Sequence, residues 1–470
     1  MKRWLPIIAA GVLAACTTFH PKPLEPPRVE EEFRARSLAD PGLRTYLDAH
    51  LPARQPEWPL QRFDLQVLTL VAFYFHPDLD VARARVAVAE AGAVTAAGRP
   101  NPTLGLTPGY TDAPESPWLY GLTFDLPIET AGKRGYRLAR AERLTEAARL
   151  QLAESAWQVR SRVRVALVEH LLVLRELDLL RAEEAVRSEA LSLEEARLAV
   201  GEASRPDVDA ARADLANARL ALRAIEGRVG ERRTALAAAL GVPVGALDGT
   251  TSDWPQLDAP PAEDTLAPAT IQRAGLLNRL DVRRALAEYA ASEAALQLEV
   301  AKQYPDLHVG PGYKFDDGVS KFTVGISLTL PVLNQNQGPI AEAEAGREEA
   351  GARFLALQAE VIGETERALA RYHGALAELG EADLLVVVLD EQLRATKLAV
   401  EVGEADPLAL AAIRIKRLAA ARTRVAAQRA MQGALGALED AVERPLDAQL
   451  VVPEVPRIGA RDIPRKEEER

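Results

Sequence analysis

The sequence predicts a mainly α-helical protein with a small β part, assembled by duplication, and three observations carry that expectation. Residues 102–110 (PTLGLTPGY) and 121–128 (GLTFDLPI) return as residues 305–313 (PDLHVGPGY) and 325–332 (GISLTLPV), and each pair follows a matching helical stretch, LDVARA at 79–84 and LDVRRA at 280–285. Self-similarity at this distance marks a duplicated unit. The 470 residues are 48% hydrophobic but only 5% aromatic, an Ala/Leu/Val-rich balance that favours long helices over a compact mixed core. Residues 133–200 contain no proline, which allows a continuous helix on the order of 100 Å long.

At the N-terminus, Lys2 and Arg3 precede an apolar run that ends Leu13-Ala14-Ala15-Cys16. It is too short to span a bilayer and reads as a secretory signal over residues 1–15. It resembles a bacterial lipoprotein signal, which implies cleavage before Cys16 and attachment of lipid to that residue. Thr17 after the cysteine resembles outer-membrane rather than inner-membrane sorting. Cys16 is the sole cysteine, so the mature chain has no intramolecular disulfide. Residues 16–60 follow as an anchored N-terminal segment, Pro-rich over 19–27 and therefore extended.

Residues 61–242 form the first repeat. Its two leading helices divide at His76-Pro77, since proline starts a helix but does not continue one. Strands are expected at about 102–112 and 117–128. The long helix then shows a three-four seam of Val159, Val163, Ala166, His170, Val173, Leu177 and Leu180. A break at 201–206 (GEASRP) is followed by Val208, Ala211, Leu215, Ala218, Leu222, Ile225 and Val229, so the two runs form an antiparallel hairpin with its tip near Gly201. Residues 243–268, with prolines at 243, 255, 260, 261 and 268, link the halves. The second repeat, 269–443, has strands at about 305–315 and 321–332 and a hairpin tip near Gly403. Its return seam is less regular, because Leu408, Ala411, Ile415 and Leu418 are followed by Arg422 before Val425. Residues 444–470 read as a peripheral tail.

Each strand sorts its residues by period two into an apolar and a polar face. A half-buried soluble sheet alternates in the same way. The aromatics favour a membrane: Tyr110, Trp118, Tyr120, Tyr313, Phe315 and Phe322 cluster beside the hairpin turns at 112–117 and 316–320, as an interfacial girdle does. Strands of about ten residues suit a tilted crossing. Four strands cannot close, and an open edge in hydrocarbon leaves backbone groups without partners at several kcal/mol each. The chain must borrow strands from copies of itself. Two copies give about eight strands and a filled interior, and three give about twelve and room for a lumen.

At this point the residues resemble a family, the TolC-like outer-membrane efflux ducts, over nearly all of the mature chain. Residues 126–134 (LPIETAGKR) and 330–338 (LPVLNQNQG) resemble its heavy-metal branch, the cobalt-zinc-cadmium and copper-silver exporters. The resemblance implies a homotrimer with a twelve-stranded transmembrane β-barrel, four strands per protomer, above a periplasmic α-barrel of helical hairpins, with an equatorial region from the linker and termini. It implies a lipid-anchored outer-membrane location and, as partners, a periplasmic adaptor, an inner-membrane pump of the resistance-nodulation-division type and outer-membrane lipid. It also implies passive conduction of substrate, metal cations in this branch, through an aperture that opens as the tip helices untwist. The adaptor contact falls on Gly201, Glu202, Ala203 and Ser204 and on Gly403, Glu404, Ala405 and Asp406. Glycine at both tips equally suits plain turn chemistry. Some relatives carry an acidic ring where this chain has Leu-Ala-Leu-Ala-Ala at 408–412; Asp207 and Asp209 are the nearby acidic residues, and first-turn acids also serve as caps.

Rival readings are a multidrug or type I secretion duct, a periplasmic adaptor, which has one hairpin rather than two, and a structural coiled-coil lipoprotein. A net charge of -11 without a basic tract argues against nucleic acid. His20, His50, His76, His170, His308 and His373 show no ligand spacing, so no resident metal site is expected. His308 is expected to line the barrel. Residues 132–135 (GKRG) lack the glycine spacing and the Ser/Thr of a phosphate loop. No acid-base pair stands out, so neither an enzyme nor a cofactor is expected.

Overall fold

A computed structural model describes residues 18–51, 58–59, 61–112, 117–262 and 266–446. The signal segment, Cys16, positions 113–116 of the first strand turn and the tail from 447 onward lie outside the described residues. Two short helices, α1 (Pro26–Arg34) and α2 (Pro41–His50), open the chain, each with proline in its first turn, where the missing N–H is harmless. Strand β1 (Arg62–Phe63) leads into α3 (Leu65–Phe75), whose first turn is capped by Asp64 accepting from the Val67 N–H at 2.7 Å. Pro77 forces a new start for α4 (Pro77–Ala97). Then come β2 (Thr103–Tyr110), β3 (Trp118–Ile128), α5 (Lys133–Ala199) and α6 (Arg205–Leu240). The linker adds β4 (Thr251–Ser252), which pairs in parallel with β1.

The second half is α7 (Pro268–Asn278), α8 (Leu280–Ala301), β5 (Leu307–Asp316), β6 (Val319–Leu328), α9 (Gln337–Glu401) and α10 (Pro407–Val442). Its helices match the first half in length: 11 residues for α3 and α7, 21 and 22 for α4 and α8, 67 and 65 for α5 and α9, 36 for both α6 and α10. Duplication therefore extends from the motifs to the architecture. One boundary differs from the sequence expectation. β6 stops at Leu328, opposite Leu307 where β5 begins, so Leu330 and Val332 have no strand to pair with and stand exposed beyond the ladder.

The helices lie side by side in four columns. α4 and α6 share one column beside α5, α8 and α10 share the next, and α9 completes the row. The strands follow the same order, β2-β3-β5-β6, all antiparallel. Each strand thus continues the column of the helix joined to it. α5 and α9 run unbroken, while the other two columns are interrupted at a common level, the equator.

The main core sits at that level. α3 is buried on nearly all sides, and Leu43, Leu47, Leu68 and Phe73 pack against Val159, Val163, Leu167 and Leu172 of α5, with Leu240, Trp254 and Leu257 closing the cluster. A second cluster joins Ile271 of α7 to Tyr372, Leu379, Met431 and Leu438. Each break in a column is bridged by an arginine. Arg36 donates to the Phe75 carbonyl at 3.0 Å and the Gly241 carbonyl at 2.6 Å, so one guanidinium satisfies two helix ends. Gly241 (φ 73°) approaches the His76 backbone so closely that a Cβ would meet its Cα at 3.0 Å. At the second break, Arg279 donates to the Ala441 carbonyl at 3.2 Å and forks onto Asp281, while Glu443 accepts from the Leu280 N–H.

Burial pushes the Glu443 carboxyl up to about 7, with the Leu280 N–H opposing and Asp281 reinforcing. Folded Glu443 holds its proton to about pH 7, whereas the unfolded chain releases it near 4.5. The folded state therefore binds more protons between those values, and stability falls as pH rises through that window, then levels. The expected loss is on the order of 3 kcal/mol. Glu443→Gln keeps an acceptor for Leu280 and should flatten the slope, which thermal melts followed by circular dichroism across pH will read.

Candidate functional site

The four-stranded sheet divides sharply into two faces. Cross-strand register puts Leu104 opposite Phe124, Leu106 opposite Leu122, Leu126 opposite Val309 and Val309 opposite Ile326. All belong to one apolar face, and nothing among the described residues covers most of it; Leu106, Val324 and Ile326 are among its exposed residues. The opposite face is small and polar: Thr103, Gly105 and Thr107 on β2, Gly121, Thr123 and Asp125 on β3, His308, Gly310, Gly312 and Lys314 on β5, and Lys321, Thr323, Gly325 and Ser327 on β6. Among the described residues β2 and β6 each have one neighbouring strand, so both sheet edges are open there.

The six girdle aromatics meet as three cross-strand pairs on the apolar face. Tyr110 meets Trp118 edge-on with centroids 5.4 Å apart, Tyr120 meets Phe315 at 6.4 Å, and Tyr313 meets Phe322 at 5.2 Å. Each successive pair is offset by two residues along the strands. With strands about 4.8 Å apart and about 3.3 Å per residue, such a belt is level only if the strands are inclined steeply. Tight turning at this end is built in: β5 and β6 join through Asp317 (φ 54°) and Gly318 (φ 73°), an Asp-Gly hairpin of the primed type.

At the other end, the strands pass into helices through left-handed residues, Gly132 (φ 73°) before α5 and Asn336 (φ 66°) before α9. Lys133 is buried there, its Nζ donating to the Tyr304 carbonyl at 2.6 Å and to Asp306 at 2.7 Å. That lysine ties β5 to α5 and does not reach toward a ligand. Arg137 caps the end of α4 through the Ala96 and Gly98 carbonyls, both at 2.9 Å, and forks onto Glu129.

Below the equator the two hairpins meet along α5 and α10. The seam starts in a buried cluster. Arg160 pairs with Glu439 at 3.0 Å, and Arg164 lies 3.4 Å from the same carboxylate, with all three side chains under 5% exposed. Arg164 also donates to the Gln432 carbonyl and its Oε1, each at 2.8 Å, across Gly436, where a Cβ would meet the guanidinium at 2.5 Å. Trp157 and Ser161 donate to Asp440 at 2.9 and 2.7 Å. Burial pushes the Asp440 carboxyl up despite those donors.

From there the seam descends as ion pairs: Arg429 with Glu176 (3.4 Å), Arg422 with Glu183 (3.2 Å), Arg414 with Glu189 (2.9 Å) and, at the tips, Arg197 with Asp406 (3.4 Å). Arg422, an interruption in the apolar repeat, is thus a partner for α5. Sequence reasoning missed this ladder, although Glu169, Glu176 and Glu183, and likewise Arg422 and Arg429, stand seven residues apart, which puts like charges on one helix stripe.

The two tips are neighbours, and a groove between them is lined by Leu193, Ala196, Arg197, Val200, Glu202, Asp406 and Pro407. Gly201 (φ 81°) and Gly403 (φ 80°) take left-handed turns that other residues resist. Glu202, Ser204 and Glu404 are exposed at these turns, and Ala203 and Ala405 are half-buried. Asp207 accepts from the Ser204 N–H at 2.9 Å and hydroxyl at 2.6 Å, which holds its carboxyl below the usual range. It serves as a cap. Asp209 pairs with Arg212 at 3.4 Å, and Asp406 caps α10 through the Leu408 N–H at 2.8 Å. His170 packs toward α6, and burial followed by Arg233 lowers its pKa. Among the described residues, no three His, Cys, Asp or Glu side chains converge as a metal cage, and no helix is long and apolar enough to cross a membrane.

Residues 75–242 match the family model described as outer membrane efflux protein. Over 269 residues the chain is 29% identical to the cobalt-zinc-cadmium resistance protein CzcC of Cupriavidus metallidurans, covering 57% of this chain and 62% of that protein. The match therefore spans less than two thirds of that relative's length. Among solved structures, the outer membrane protein VceC of Vibrio cholerae is similar with a TM-score of 0.65 and 21% identity, over 81% of this chain and 96% of that one. CusC is similar with a TM-score of 0.63 and 15% identity, over 83% and 95%. At such identities the likeness establishes a shared fold.

Glu439→Gln removes the one carboxylate between two buried guanidiniums. The expected cost is about 3–5 kcal/mol, read as a lowered thermal midpoint, while Arg414→Ala on the half-exposed part of the seam should cost under about 1 kcal/mol.

Proposed function

We propose that this chain, which resembles the outer-membrane efflux proteins of the heavy-metal branch, is the passive exit duct of a tripartite export system. The observation that carries the reading is a sheet with one uncovered apolar face, one small polar face and two open edges, aligned column by column with helices that end at the same two sides. A head-to-tail ring of copies satisfies both edges at once. Three copies supply twelve strands, enough for an aqueous lumen lined by the Gly/Thr/Ser face, with the apolar face toward lipid and the aromatic pairs at one interface. The helical columns then form a tube beneath the barrel, in the periplasm, with α5 and α9 each on the order of 100 Å long.

The N-terminal segment suits a lipid anchor at Cys16. Arg36 is fixed at the equator, and α4, rising from there to the sheet, is about 30 Å long. From Thr18 to Arg36 the nine helical residues of α1 and the residues before it, if drawn out fully, span on the order of 40 Å. The tether can reach the membrane surface.

The tips are the place for the aperture and for the adaptor that links the duct to an inner-membrane pump. Ion pairs near the tips hold the two hairpins together, and their separation would widen the end of the tube. Similarity to a protein named for cobalt, zinc and cadmium resistance favours metal cations as cargo over drugs or secreted polypeptides.

Purified protein in planar bilayers should form pores. Arg197→Ala combined with Arg414→Ala should raise the open-state conductance or its occupancy, and raised salt should do the same to the unmodified protein. Failure of even the double variant to conduct would refute the duct. For cargo, loss of the gene should lower the tolerated concentration of zinc, cobalt or cadmium; unchanged metal tolerance with new drug sensitivity would favour the multidrug alternative.

A further inference from the structure

We propose that Asp125 and His308 form a weak binding site for divalent transition-metal cations on the polar wall of the sheet, with His308 Nε2 as the ligand. The inference rests on reading that wall as the lumen.

The pair is a cross-strand contact between β3 and β5. His308 Nδ1 lies 3.0 and 3.2 Å from the two Asp125 carboxylate oxygens. An ionised carboxylate only accepts, so Nδ1 carries the hydrogen, and in the neutral imidazole Nε2 keeps its lone pair. Nε2 has no hydrogen-bond partner among the described residues. The side chains are 39% and 43% exposed, reachable from solvent yet held in place. A carboxylate that fixes the far nitrogen of an imidazole is the usual support of a metal-ligating histidine, since it sets the tautomer and raises the basicity of the free nitrogen.

Toward the turn, the wall beyond this ligand carries few polar side chains. His308 stands opposite Pro127 and Ser327, and on the next polar-face rung Gly310 faces Gly325, which leaves bare backbone. From there to Lys314, Asp316 and Lys321 at the turn, the polar side chains of that face are threonines. Lys133 in the strand-helix joint is already engaged by Asp306 at 2.7 Å. Copies in a ring would repeat the imidazole around the wall. One imidazole completed by water binds imidazole-preferring ions such as Zn²⁺ weakly, and weak, multiple sites suit conduction, which requires that an ion leave as readily as it enters.

Diethylpyrocarbonate modification of His308 in the purified full-length protein, followed by peptide mass spectrometry, tests the site without needing an open pore. Zn²⁺ at millimolar concentration should slow the reaction at His308 several-fold and Mg²⁺ should not. Asp125→Asn should weaken the Zn²⁺ protection roughly tenfold in concentration. Equal rates with and without Zn²⁺ would overturn the proposal. In the conducting tip variant, Zn²⁺ should cause block that His308→Ala relieves, and block unchanged by that substitution would also overturn it. Zn²⁺ protection in a protein that never conducts would support the metal site and sink the duct instead.

Discussion

Everything in this molecule depends on two unpaired sheet edges. Along their outer sides, backbone N–H and C=O groups of β2 and β6 have no strand partner among the described residues, yet the sheet between them is greasy on one side and hydrophilic on the other. In water, such edges invite uncontrolled pairing; in hydrocarbon, they are untenable. Closure by identical copies removes both problems. The helices repeat the same logic, because α4 and α6 border one side of the row and α9 the other. A single rotation can therefore satisfy strand and helix edges together.

Much of this is written in periodicities. Alternation with period two marks the strands, since Leu104, Leu106, Leu122 and Phe124 must share a face once the chain is extended. Three-four spacing marks the helical seams, and Val159, Val163, Val173, Leu177 and Leu180 are buried. Long-range order leaves no such trace. Nothing in the spacing says that α10 lies between α5 and α9, which buries it on two sides and explains why Ile413, Ala420 and Ala427 are covered as well as Leu418 and Val425. The end of β6 at Leu328 depends on where its partner begins. At the candidate aperture, the glycines and the Ser204 to Asp207 cap follow from local turn chemistry, whereas the partnership of Arg197 with Asp406 belongs to the packing of two hairpins more than 200 residues apart.

Polar interactions are distributed unevenly between the equator and the tips. At the equator, half-buried Arg36, buried Arg279 and the buried Glu439 cluster tie helix ends into fixed positions. Removing one partner there strands a charge in low dielectric, which makes the region rigid by necessity. Nearer the tips the charged partners are mostly half-exposed, and each contributes little alone. The helical part is anchored in the middle and loosely fastened at its tips.

The charged character of the lower seam has a consequence for reversibility. When a greasy interface separates, it uncovers surface that water disfavours and that sticks to whatever is nearby. The facing Arg and Glu side chains of α5 and α10 are already suited to hydration, so parting them admits solvent without creating an adhesive patch. On the proposed reading of the tips as an aperture, such a seam can part and close repeatedly without fouling.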